Sequence, residues 1–219
     1  MTATMTTSTS FGHDQQAGRA ASRPWNHGCK IGPKKALKPK EIWAIRFELS
    51  RGGRIRDRAL FDLAIDSKLR GCDLVALRIG DVVSSGKVRR RATIVQKKTK
   101  QPVQFEITEP ARDSLLAWLT KRGGGLDDVL FPSRLHRCAH LTTRQYARLV
   151  DDWVGSIGLD PADYGTHSLR RTKASLIYKR TGNLRAVQIL LGHTRIESTV
   201  RYLGVDIEDA LALAEGTDI

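Results

Sequence analysis

From Pro39 onward the apolar positions recur at helical spacing. Ile42, Ile45, Phe47 and Leu49 predict a helix that ends at Gly52 and Gly53. Leu60, Phe61, Ala64 and Ile65 give the core face of a second, from about Arg56 to Ser67, and Leu74, Val75 and Leu77 that of a short third from Gly71. The period then changes from helical to alternating. Val88, Arg90, Ala92 and Ile94 predict one strand, and Val103, Phe105 and Ile107 the next. Lys98, Thr99, Lys100, Gln101 and Pro102 form the turn between them, so a β-hairpin is expected, with Ile79 to Val83 as a candidate third strand.

Helical spacing returns after the hairpin. A helix is expected from Glu109 to Thr120, closed by a glycine turn at Gly123 to Gly125. Tyr146, Leu149, Val150 and Trp153 mark the inner face of a helix from about Thr142 to Ile157. Thr166 is a candidate cap for a helix running to about Arg180. Asn183 caps the next, which Gly192 ends. Thr194 with Glu197 reads as a capping box for a helix carrying Tyr202, and Ile207 to Glu215 predicts a last one docked by Leu211 and Ala214. The fold class expected is mainly α with a small antiparallel β-sheet (α+β), one domain over residues 36–219. Residues 1–35 are polar and aperiodic, and read as a disordered basic N-terminal arm.

Charge narrows the function. Lys and Arg total 37 against 23 Asp and Glu, a net +14. So much like charge opposes compaction unless an anionic partner benefits, and nucleic acid is the usual one. Aromatic residues make up 6% of the chain with no basic-flanked cluster, which argues against an RNA-stacking module. No apolar run is long enough to span a bilayer and Met1 to Ser10 lacks the pattern of a secretory signal, so a cytoplasmic protein without membrane association is expected. Cys29, Cys72 and Cys138 are odd in number and widely spaced, which does not suit a disulfide framework. His136, Cys138 and His140 cluster, but no second ligand pair stands at metal-site spacing, so a surface loop is expected there and no metal.

Four features carry candidate chemistry. Arg70 stands at a helix start with Asp73 three residues on; Lys98 lies at the hairpin tip. His167-Ser168-Leu169-Arg170 is followed by Leu191-Gly192-His193, and then by Arg201-Tyr202-Leu203-Gly204. His167 and Arg170 share a face in the first turn of their helix, where exposed N–H groups favour an anion. His193 follows a helix-ending glycine that can aim its ring inward. Two guanidiniums around one phosphate suit a transition state with charge building on the non-bridging oxygens. A lysine on a hairpin tip can protonate a leaving oxygen, and Tyr202 can attack phosphorus. Lys97, Lys98 and Lys100 all lie near the tip; Lys98 is favoured because strand parity puts it on the face of Ala92 and Ile94. Taken singly, each residue also has a plain structural use: Arg70 with Asp73 as a surface ion pair, His167 as a cap, Tyr202 as a packed surface ring.

In this order, Arg, Lys, His-x-x-Arg, Leu-Gly-His and Tyr resemble the catalytic signature of the tyrosine recombinases and phage integrases, over roughly Lys38 to Glu215. The resemblance implies the catalytic-domain fold of that family and a site-specific DNA recombinase acting on double-stranded DNA, without metal or other cofactor. Arg70 and Arg170 would then bind the scissile phosphate, and His193 would hydrogen-bond it. His167 would assist proton transfer from the tyrosine. Lys98 would protonate the 5′ oxygen, Tyr202 would form a 3′-phosphotyrosyl intermediate, and Asp73 would brace the site from behind. It also implies a homo-oligomer, a tetramer on two duplexes, with the segment from Ile207 to Ile219 a candidate for exchange between neighbours. Family members usually carry an N-terminal DNA-clamping domain where this chain has only the arm, so an accessory protein supplying the clamp is a candidate partner. Leu203 and Gly204 depart from the family's commoner Tyr-x-His. Two other readings remain open: a type IB topoisomerase-like relaxing enzyme, and a DNA-binding accessory or regulatory protein that keeps the fold without turnover.

Overall fold

A computed structural model describes Met1, residues 33–133 and 140–204, and positions 211 and 215. Most of the arm, the His136 and Cys138 part of the histidine–cysteine cluster, and most of the last predicted helix lie outside the described residues. Helix α1 spans Pro39–Arg51 and α2 Ile55–Ser67. Their shared core holds Ile42, Ile45 and Leu49 against Leu60, Phe61 and Leu63. Phe47 does not join it: two residues from both Ile45 and Leu49, it falls on the opposite side of the helix, 64% exposed, one turn from an equally exposed Trp43.

Two corrections follow α2. Helix α3 is one turn, Gly71–Leu74, rather than a run to Leu77. Ile79 to Val83 is mostly not a strand but a second one-turn helix, α4, Ile79–Val82. Asp81 accepts the Arg78 N–H at 2.8 Å, which satisfies the opening amide and favours a helical turn over extension. Only Val83 is extended, and β1 (Val83–Ser84) pairs with β2 (Lys87–Val88) in a separate two-stranded ribbon.

The expected hairpin is β3 (Arg91–Val95) antiparallel to β4 (Pro102–Glu106), with Ala92 opposite Phe105 and Ile94 opposite Val103. Val88 therefore belongs to the ribbon, and Ile107 is buried just beyond its strand. Helix α5 (Glu109–Arg122) packs along α2, and α6 (Thr143–Ser156) presents Tyr146, Val150 and Trp153 to the core. Thr142 caps α6 as expected: its hydroxyl accepts the Gln145 N–H at 3.1 Å.

Helix α7 (Thr166–Thr181) begins after Gly165, so Thr166 is its first helical residue and not its cap. Ser168 closes that end, its hydroxyl accepting the Gly165 N–H at 3.1 Å. Helix α8 (Leu184–Leu191) is capped by Asn183, which accepts the Ala186 N–H at 2.9 Å, and Gly192 ends it in the left-handed region at φ 63°. Helix α9 (Ile196–Leu203) is preceded by Arg195 without a side-chain cap, so the Thr194–Glu197 capping box does not form.

A buried ion network sets where α2 ends. The amine of Lys68 reaches Glu106 on β4 at 2.8 Å, and Lys173 on α7 reaches Asp66 at 2.6 Å and Glu106 at 2.7 Å. Strand, helix end and α7 are thus held together by charge pairs anchored on the buried Lys68 and Asp66, with Glu106 and Lys173 partly open to water. Arg70, two residues past Lys68, is thereby delivered towards α7. Residues 34–37 also run against this region: Arg171 donates to the Lys34 carbonyl at 3.0 Å and Leu37 N–H to the Thr172 hydroxyl at 3.0 Å.

Candidate active site

Five of the six predicted reactive residues come from four chain segments. Arg70 caps α3, His167 and Arg170 lie in the opening turns of α7, His193 follows α8, and Tyr202 sits in the last turn of α9. Arg170 is nearly fully buried and donates to the Leu191 carbonyl at 2.7 Å, so the end of α8 fixes its fork. Its Nε is buried without a partner among the described residues. His193 places Nε2 3.4 Å from Arg170, at the limit of a hydrogen bond, while Nδ1 meets the buried Thr199 hydroxyl at 3.0 Å. Thr199 therefore orients the ring from the far side. Gln188 secures the same loop by donating to the His193 carbonyl at 3.0 Å.

Tyr202 is enclosed by cations. The Arg170 guanidinium carbon lies 5.5 Å from its ring centre and that of Arg171 5.1 Å, and the His193 ring stands edge-on at 5.5 Å. Its hydroxyl donates to the main-chain oxygen of His167 at 3.3 Å. The contact is with the backbone, not the imidazole, of His167. Burial raises the pKa of Tyr202, while Arg170, Arg171 and Arg70 pull the other way by favouring the phenolate. Burial lowers the pKa of both histidines, reinforced by Arg170 and Arg70, with Arg171 adding at His167; His193 falls to about 4. At neutral pH the two imidazoles are uncharged, leaving the arginines as the site's positive charge.

Lys98 lies in the turn between β3 and β4, exposed, and its amine makes no hydrogen bond or ion pair among the described residues. Strand parity carries inward through Ala92 and Ile94 to Gln96, which is fully buried; the turn begins after it. The base of the turn is nonetheless pinned to the site. Asp73 accepts the Lys97 N–H at 2.9 Å, and Gln96 accepts from Arg70. Three participants were not singled out from the sequence. Gln96 had a usable signal, a polar residue at an inward strand position. Arg171 and Thr199 had none, because their roles depend on where α9 packs. Among the described residues no group of three His, Cys, Asp or Glu is arranged to hold a metal, and no helix is long and apolar enough to cross a membrane.

A helical domain with a two-stranded hairpin thus sets the guanidiniums of Arg170 and Arg171 against the ring of Tyr202. The chain belongs to the phage integrase family, whose family model matches residues 35–208. Tyrosine recombinase XerC of Chromobacterium violaceum is 34% identical over 74% of this chain and 52% of its own length. Tyrosine recombinase XerD of Rickettsia bellii is 31% identical over 67% of this chain and 51% of its own. The chain thus spans about half the length of these relatives. Among solved structures, XerA recombinase superposes with a TM-score of 0.69 at 20% identity, over 85% of this chain and 66% of that one. XerH site-specific recombinase bound to its palindromic difH substrate gives 0.65 at 22% identity, over 84% and 53%. At these identities the superpositions establish the shared catalytic-domain fold.

Proposed function

We propose that this chain is the catalytic domain of a site-specific DNA recombinase that breaks and rejoins double-stranded DNA through Tyr202. The observation that carries the reading is the enclosure of the Tyr202 ring by Arg170, Arg171 and His193 at 5.1 to 5.5 Å. A scissile phosphate beside that ring meets two guanidinium forks, from Arg70 and Arg170, and the Nε2 of His193. These donors favour the transition state, in which charge grows on the non-bridging oxygens. Tyr202 Oη attacks phosphorus, and the P–O5′ bond breaks. The products are a 3′-phosphotyrosine and a 5′-hydroxyl whose proton comes from Lys98. The proton of Tyr202 leaves by way of His167, whose neutral imidazole is an acceptor. A 5′-hydroxyl from a second duplex reverses the sequence and rejoins the strand, with no net hydrolysis and no nucleotide consumed.

The net charge of +14 supports duplex DNA as the substrate, as does the transposon right end DNA in complex with the Tn1549 transposon integrase, which shares the fold with a TM-score of 0.68. Exchange between two duplexes needs four active sites, so assembly as a tetramer on DNA is part of the proposal. So is a clamp on the opposite face of the duplex, supplied by an accessory protein or by further chain.

Covalent trapping in cells tests the reading. Detergent lysis, recovery of DNA joined to the protein and sequencing of its ends are compared for wild type and Tyr202→Phe. Adducts at one or a few loci, absent from the variant, are expected. Adducts spread over the genome would favour a relaxing topoisomerase, and none in wild type would favour a binding protein.

A further inference from the structure

Gln96 is fully buried where the β3–β4 turn meets the end of α8, and both ends of its amide are used. Its oxygen accepts from Arg70 Nη1 and, at 2.8 Å, from the Thr99 hydroxyl inside the turn. Its nitrogen points to the Leu191 carbonyl at 3.4 Å, the same oxygen that takes the 2.7 Å hydrogen bond from Arg170. A continuous polar chain therefore runs from one arginine to the other through this amide, with a branch into the turn that carries Lys98. Space around it is tight: a Cβ on Gly192 would stand 3.2 Å from the Gln96 amide nitrogen.

We propose that Gln96 is a positioning residue that seats the lysine turn on the arginine pair, so that Lys98 is presented to the phosphate those arginines hold. The amide suits this task because it accepts on one side and donates on the other; neither a carboxylate nor a thioether does both. Lys98 itself has no tether among the described residues, so its location depends on the two that hold its neighbours, Asp73 at Lys97 and Gln96 through Thr99. A buried polar connection that is fully made specifies one arrangement, and losing it frees the turn without emptying the phosphate site. The inference rests on the reading of Lys98 as proton donor to the 5′ oxygen.

The test uses the full chain and a nicked duplex that traps the cleaved state, followed under single turnover at saturating DNA. The 5′-bridging atom is either oxygen or sulfur. Sulfur departs without a proton, so it removes the need for a general acid. Gln96→Met keeps the length and removes both polar ends. It is expected to slow cleavage of the oxygen substrate by about ten- to a hundredfold, the usual cost of a misplaced catalytic group, with affinity for DNA within about threefold of wild type. On the sulfur substrate most of that deficit should vanish, as it should for Lys98→Ala. Thr99→Val, which leaves Gln96 in place and cuts only its tie to the turn, should show a smaller loss with the same rescue, and serves if Gln96→Met does not fold. Wild-type rates for both variants, or equal slowing on both substrates while Lys98→Ala is rescued, overturn the inference alone. Lys98→Ala unrescued by sulfur overturns the lysine reading and the inference with it.

Discussion

Asp73 accepts the main-chain N–H of Lys97 at 2.9 Å, which ties the one-turn helix behind Arg70 to the base of the lysine turn. Its second carboxylate oxygen is buried without a partner among the described residues, and its charge favours the Arg170 guanidinium. Asp73→Ala removes both the acceptor and the counter-charge. It should lower stability by about 1–3 kcal/mol in urea unfolding, and slow cleavage by loosening the turn. Asp73→Asn keeps an acceptor for Lys97 and should lose less of both.

Acid should weaken the site before it unfolds the rest. His193 titrates near 4 in the folded chain, below its ordinary 6.5, because burial and then Arg170 and Arg70 disfavour the imidazolium. His167 is shifted the same way. Between those values the unfolded chain binds more protons than the folded one, so stability rises with pH there. The contribution is complete above about pH 6.5 and is lost as pH falls towards 4. The thermal midpoint should drop across that window, and His193→Gln should flatten part of the drop.

Cleavage should speed up as pH rises above neutrality. Tyr202 must give up a proton that burial makes it hold, although three arginines ease the loss. Single-turnover rates from pH 6 to 9 should climb without a fall on the acid side of neutral caused by histidine ionisation. A rate that declined from pH 6 to 8 would contradict the assignment of Tyr202 as nucleophile.

Gly192 has no room for a side chain. Its φ is 63°, and a Cβ would lie 2.4 Å from Val103 Cγ2 on β4. Gly192→Ala should cost about 2–4 kcal/mol, summing left-handed strain and overpacking, measured by chemical unfolding. It should also displace His193 and so reduce cleavage in molecules that remain folded.

Binding to duplex DNA should weaken steeply with salt. If about six phosphates are neutralised, affinity falls roughly a thousandfold between 50 and 200 mM salt. A flat response in a filter or anisotropy titration would count against DNA as the ligand.

Much of this was legible in the sequence because the signals were local. Helical periodicity located α1, α2 and α6, cap and glycine signals located α5, α7 and α8, and the polar tip between two alternating runs located the hairpin. Errors arose where one turn of chain carries too little pattern to decide. Ile79 to Val83 is apolar enough for a strand, yet Asp81 closing on the Arg78 amide makes it helical. The Thr194–Glu197 spacing fits a capping box, but Arg195 takes the cap position, α9 starts one residue later than that box requires, and no such bond forms. Phe47 is as apolar as its neighbours, yet Ile42, Ile45 and Leu49 fill the core face without it.

By itself, the sequence determined the family, the order of the candidate reactive residues and most of the elements that carry them, since motif spacing and periodicity survive without knowledge of packing. Only the tertiary structure decided which groups meet. It brought Arg70 to the turn through Gln96, set Arg171 as well as Arg170 against the Tyr202 ring, and turned the Tyr202 hydroxyl to the backbone of His167. Those contacts join residues 26 to 35 positions apart. Their geometry follows from how α7, α8, α9 and the hairpin pack, and from the buried charge network at Lys68 and Lys173 that holds the end of α2 in place.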